Sequence, residues 1–287
     1  MSQGKMSQRK NEILLTAPTL LWLAVFFVIP SLAMVAVSFR PANADGGIEP
    51  GWTLDAWRAL AHPDYPVILW RTVLLSVATT VVCLVIALPV AFLLGRLEGK
   101  WRGFLLMLVI VPFWTNFVIR VAAWRIILHP EGFIRLGLVN LGVIGPETLL
   151  LYNEAAVLLV MVYTHLPFAI LPLYAAAERF DYGLLEAARD LGAGGFRAVM
   201  RIFVPGVSRG FFTAMALVLI PALGSYVIPD LVGGPSDEMI GNKIAQRTLG
   251  NRNLPQAATL SIALFAITLV PILVVFLINR REHAESR

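Results

Sequence analysis

The chain has 287 residues, of which 58% are apolar and only 14% charged, with a mean hydropathy of +0.76. A soluble domain carries about 25% charged residues and could not bury this much apolar surface. The single cysteine, Cys83, excludes an intrachain disulfide and a cysteine-based metal cluster. The net charge of +5 comes from bases scattered over many short segments, which does not read as a nucleic-acid footprint.

Apolar runs long enough to cross a hydrocarbon core predict six transmembrane helices, at roughly 14–39, 67–94, 103–128, 150–175, 208–229 and 257–279. Lys5, Arg9 and Lys10 precede the first run, which is longer than a signal-peptide core and reads as a retained helix. With the N-terminus inside, fourteen Lys and Arg residues fall in inner segments, from Lys5 to Arg280, Arg281 and Arg287, and six in outer ones. Arg71, Arg120 and Arg125 lie in or at the ends of spans, and both termini are expected to face the cytoplasm. Trp70, Trp101 and Trp124 fall near span ends, where an indole keeps its N–H wet and its ring in lipid. No repeat or low-complexity tract divides the chain, so the expectation is one all-α polytopic domain over 1–287. The outer loops, 40–66 and 230–256, are too short for a globular domain, so capture of a solute outside the cell falls to another protein.

Within the third predicted span, Thr115, Asn116 and Arg120 are polar groups that lipid would penalise by several kcal/mol if unpaired. Asn116 and Arg120 are spaced to share a helix face, and Phe113 or Trp114 offers an aromatic wall for a cation. Two plainer readings stand beside this one: Asn116 bonding across helices, and Arg120 snorkelling to the outer interface. No Asp or Glu falls mid-span, and Asp230, just after Tyr226, is the nearest acid. Phe113, Trp114, Asn116, Arg120, Tyr226 and Asp230 are therefore the candidates for a translocation path. The outer segments carry ten acids, Asp45 among them, against six bases, a surface suited either to attracting cations or to docking a partner. His165, in the fourth span, reads as a neutral histidine bonding across helices in preference to a proton relay.

The segment 178–205 between the fourth and fifth spans is the most informative. Asp181 is placed to cap a helix on which Leu184, Ala188 and Leu191 form an apolar stripe, and Gly192 suits the left-handed position that ends it. A second short helix follows, with Phe196, Val199, Met200 and Phe203 on one face and Arg197 and Arg201 on another. Periodicity alone also allows an amphipathic pair lying on anionic lipid.

Glu186-Ala-Ala, with Gly192 six residues after the glutamate, then Ile202 and Pro205, resembles the EAA motif of ABC importer permeases. Val204 departs from the leucine usual there. In that family the loop forms coupling helices seated in a groove of the ATP-binding subunit. The resemblance thus implies a coupling role for Glu186, Ala187, Ala188, Arg189, Asp190, Gly192, Ile202 and Pro205. It extends over nearly the whole chain and is strongest to membrane subunits of spermidine/putrescine importers, through Val111-Pro-Phe-Trp-Thr-Asn116 with Arg120, Leu166-Pro167, Leu171-Pro-Leu-Tyr174, Pro221-Ala-Leu-Gly-Ser-Tyr226, Pro229-Asp-Leu-Val-Gly-Gly234 and Ile240-Gly-Asn242. Such a subunit implies three protein partners: an ATP-binding subunit dimer, a second related permease and a periplasmic solute-binding protein. Membrane lipid surrounds it, at the bacterial inner membrane. Neither Gly4-Lys5 nor Gly99-Lys100 is followed by Ser or Thr as a P-loop requires, so the chain is not expected to be an enzyme. His62, His129, His165 and His283 show no ligand spacing, and no cofactor or metal is expected. The alternatives are cargo of another kind (an amino-acid derivative, an anion or ferric iron) and, in another class, a secondary transporter, which would predict intramembrane ionisable pairs, absent here, or broken helices at a midplane site, for which Pro30, Pro89, Pro112, Pro167 and Pro221 make kinks possible.

Overall fold

A computed structural model describes residues 16–43 and 46–285, with side chains described as far as Val270. Lys5, Arg9, Lys10, Asp45 and Arg287, and the side chains of Arg280 and Arg281, lie outside the described residues. Among those described, every regular element is helical, and one isolated bridge pairs Ala42 with Ile48. Among the described residues, three helices are long and apolar enough to cross a membrane, or up to five if each of two sharply bent pairs makes one span.

The chain forms two compact units. The first comprises the described residues up to Pro63 with Ile244–Ala263. Its helix α1, Thr16–Ser38, is apolar and exposed along almost its whole length. Beyond it, the Trp57 ring on α2 (Asp55–Ala59) stacks on Phe39 at 5.6 Å and donates its indole N–H to Ser38 Oγ at 3.3 Å. The buried Thr259 hydroxyl donates to Ser38 O, and Gly47 N–H to Arg252 O, so the segment after α1 is held to the residues that begin the last helix.

The second unit, Asp64–Lys243 with the residues from Leu264 on, is built around α3 (Asp64–Arg96), α7 (Glu154–Glu178) and α10 (Ser208–Leu223). Small residues line their contacts: Cys83, Ala87, Ala91, Ala169, Ala177 and Ala214 are fully or almost fully buried. Where lipid is as apolar as any side chain, helices associate by close van der Waals packing, which small residues permit. Gly210 shows how close, since a Cβ there would lie about 2.5 Å from Ala176 Cβ and 2.8 Å from Pro172 O.

The remaining elements are α4 (Gly99–Ile110), α5 (Phe117–Ile127), α6 (Phe133–Asn140), α8 (Gly183–Asp190), α9 (Gly195–Gly206), α11 (Val227–Val232), α12 (Ile240–Ala245) and α13 (Leu254–Glu285). The third predicted span is not one helix. Pro112 sits in a 3-10 turn over Val111–Trp114, Thr115 is extended, and α5 leaves at 94° to α4. Asn116 is the N-cap of α5: its Oδ1 accepts Val118 N–H at 2.8 Å, so it serves its own helix, with no interhelical bond from it among the described residues. The fifth predicted span likewise stops at Leu223, with Gly224, Ser225 and Tyr226 separating α10 from α11. The fourth starts later than expected, at Glu154, where Asn153 Oδ1 accepts Ala156 N–H. The sixth starts slightly early, with an apolar stretch over Leu254–Val270.

Replacing Gly210 with leucine is expected to lower the thermal unfolding midpoint of the purified protein in detergent, by overpacking worth about 1–3 kcal/mol. Gly103→Ala, on an open face of α4, is expected to leave the midpoint unchanged or raise it slightly, since alanine favours a helix over glycine.

Candidate functional site

Two features draw the candidate residues together: the loop after α7 and a cavity at the bend between α4 and α5. In the loop, Asp181 Oδ1 accepts Gly183 N–H at 2.9 Å and starts α8. Gly192 adopts φ +87°, its N–H bonds Arg189 O, and Ala193 N–H bonds Ala188 O, both at 2.9 Å. This pair of bonds is the Schellman closure that satisfies the last carbonyls of a helix. Glu186, Ala187, Arg189, Asp190 and Gly192 lie on the outward surface of the loop, with Ala188 turned inward. Ile202 is half-buried and Pro205 exposed.

The apolar stripe differs from the one that spacing predicts. Leu185, not Leu184, is buried; Ala188 packs beside it, while Leu184 and Leu191 are 51% and 90% exposed. On α9, Ala198 and Phe203 are buried, and Phe196 and Met200 face outward. On α9, Val199–Phe203 forms a π-helical turn, which widens the helix there and rotates Phe203 out of the 3.6-residue register it would share with Phe196 and Met200. The loop therefore presents Leu184, Leu191, Phe196 and Met200 with its charged residues on its free surface.

Phe113, Arg120 and Tyr226 meet around a cavity of about 400 Å³. Phe117, Thr164, His165, Phe168 and Ser225 also line it. The Arg120 guanidinium lies 4.9 Å from the Phe113 ring centre, and Phe113 meets Phe168 edge-on at 5.2 Å. Arg120 is half-buried and lines the cavity, and its Nε has no hydrogen-bond partner among the described residues. His165 Nδ1 is 2.8 Å from Met161 O of its own helix, so that nitrogen carries the proton and Nε2 is left as an acceptor. The histidine bond is intrahelical, not the cross-helix one expected. No carboxylate is among the described lining residues. Trp114 is 78% exposed, Asn116 caps α5 and Asp230 is exposed; none of the three lines the cavity. Of the lining residues that the sequence pattern does not single out, Thr164 carries a polar signal beside His165 in a span. Phe117 and Phe168 carry none, being ordinary apolar residues in apolar runs.

Comparison with known proteins agrees with this architecture. Residues 87–282 match the family described as binding-protein-dependent transport system inner membrane component. The spermidine/putrescine transport system permease protein PotB of Haemophilus influenzae is 35% identical over 285 residues, covering 98% of this chain and all of that protein. PotB of Escherichia coli K12 is 36% identical, covering 92% and 98% of the two chains, and the E. coli inner membrane ABC transporter permease YdcU 32%, covering 92% and 86%. Among solved structures, a bacterial ABC transporter involved in import of the acidic polysaccharide alginate superposes with a TM-score of 0.71 over 96% of this chain and 98% of its own, at 18% identity, which speaks for the fold. The chain belongs to the family of binding-protein-dependent inner membrane transport components. It is a multi-pass permease subunit of an ABC importer.

At Gly192 a β-branched side chain would sit in left-handed backbone, at a cost of about 1–2 kcal/mol. Gly192→Val is therefore expected to speed tryptic cleavage at Arg189 and Arg197 about 5–30-fold, whereas Gly192→Asn, which tolerates that conformation, is expected to stay near wild type; timed proteolysis of the purified protein reads the difference.

Proposed function

We propose that this chain is one of two related permeases in a polyamine importer, working with an ATP-binding subunit dimer and a periplasmic solute-binding protein. The near-full-length identity to two PotB permeases carries the reading. Six membrane crossings form a single translocation domain, made by α1, α3, the bent pair α4–α5, α7, α10 and the apolar start of α13, and both termini face the cytoplasm, in line with the charge asymmetry. The loop 178–205 is the cytoplasmic coupling element. Its exposed Leu184, Leu191, Phe196 and Met200 give a partner apolar contact, and Glu186, Arg189 and Asp190 give it charge. The ATP-binding dimer hydrolyses the nucleotide; this chain converts the resulting motion into access.

The cavity is the part of the path that this chain contributes. The rings of Phe117, Phe168 and Tyr226 suit the methylenes and ammonium groups of a polyamine. Arg120 occupies the face of Phe113 and makes that end positive. The arginine also favours a second reading, in which the cargo is an anion or zwitterion, because no carboxylate offsets it among the lining residues.

Uptake of labelled putrescine and spermidine by cells expressing the whole assembly separates the two readings. ATP-dependent accumulation of either is expected; refusal of both, with a carboxylate-bearing solute accepted, overturns the polyamine reading in favour of the second. For the loop, Glu186→Lys is expected to leave the chain inserted while stimulation of ATP hydrolysis by the loaded binding protein falls about tenfold, the equivalent of 1.4 kcal/mol of coupling. Normal stimulation in that variant counts against the docking role.

A further inference from the structure

The loop 178–205 is joined to the rest of its unit by a compact set of aromatic rings that no part of the EAA pattern contains. Phe203, fully buried, is at its centre. It meets Phe92 on α3 at 4.9 Å and Phe180, in the turn after α7, at 5.2 Å, both edge-on, and Tyr182, just before α8, at 6.2 Å. Tyr182 in turn meets Phe92 at 5.9 Å and Phe180 at 5.3 Å. Edge-to-face contacts of this kind contribute about 0.5–1.5 kcal/mol each beyond their buried area and are directional, so the group resists shear as well as separation.

Two features weld this group to α3. The Arg96 guanidinium lies 5.5 Å from the Phe92 ring centre and 5.8 Å from that of Tyr182, bridging the two elements. Gly95 makes room for the approach: a Cβ there would collide with the Tyr182 hydroxyl and stand 3.0 Å from Ala177 O. Burial raises the Tyr182 phenol above its ordinary pKa, with Arg96 pulling the other way, so the ring stays neutral beside the guanidinium.

We infer that the Phe203 cluster is the relay that carries movement of the coupling loop into α3, with Phe203 and Tyr182 as positioning residues and Gly95 as the site of close approach. This rests on the docking role proposed for the loop. The exposed side of α8 and α9 is free for a partner while the opposite side is locked, through these rings, to a 33-residue helix. Packed aromatic groups are poorly compressible, so a displacement applied to the loop passes to α3 instead of being absorbed.

The test uses the complete transporter in proteoliposomes and reads ATP hydrolysed per solute taken up. Phe203→Leu and Gly95→Ala are expected to retain the ATP-binding subunits and their hydrolysis while raising that ratio about tenfold, within the usual range of coupling between sites. Tyr182→Phe, which keeps the ring, is expected to match wild type. An unchanged ratio in both Phe203→Leu and Gly95→Ala overturns the relay, and so does failure of both variants to assemble, which would give the cluster a folding role alone. Glu186→Lys in the same preparation separates this from the docking role. If that variant loses stimulated hydrolysis while the Phe203 and Gly95 variants keep a normal ratio, the relay fails and docking stands; if it behaves as wild type, docking itself fails.

Discussion

In hydrocarbon an unpaired backbone N–H or C=O costs several kcal/mol, so a chain that meets lipid stays helical, and each interruption must bring its own hydrogen bonds. The interruptions here do so. Asn116 caps α5 after the Pro112 turn, and Asn153 caps α7. The helices divide accordingly, with α3 and α7 running unbroken as the frame and the broken pairs supplying the features with chemistry. The bend between α4 and α5 brings Phe113 and Arg120 to the cavity, and the bend between α9 and α10 turns the loop back into the bundle.

Loop and cavity are parts of the same helices. α7 lines the cavity with Thr164, His165 and Phe168 and ends shortly before α8; α10 starts at the end of α9 and reaches the cavity at Pro221. Close contact at Gly210 holds α7 and α10 together, and the Arg102 pairing with Glu178, with Arg102 Nε donating to Tyr174 at 2.6 Å, ties the start of α4 to the end of α7. The loop and the residues around Arg120 are thus joined through α7 and α10. Prolines inside α3, α7 and α10 give those helices places to bend without losing register at their ends.

Much of the candidate site is legible in the sequence because its signals are local. Gly192 announces a helix end through a conformation that other residues resist, and the spacing from Glu186 to Pro205 is a property of one short segment. The buried face of that segment is not legible in the same way. A single π-helical turn moves Phe203 inward and leaves Phe196 and Met200 outside, and whether such a turn forms depends on what the rings can pack against, namely Phe92, which lies over a hundred residues earlier.

Length and hydropathy determined that this is a helical membrane protein and where its apolar runs lie, because both follow from the solvent. Tertiary structure alone decided that the third run breaks at Asn116, that Arg120 turns toward Phe113, Phe168 and Tyr226, and that Trp114 and Asp230 stand apart from that cavity. Those outcomes depend on contacts between residues far apart in the chain, such as the Phe113 ring against Phe168 and the gathering of Arg120, Phe117 and Tyr226 around one cavity.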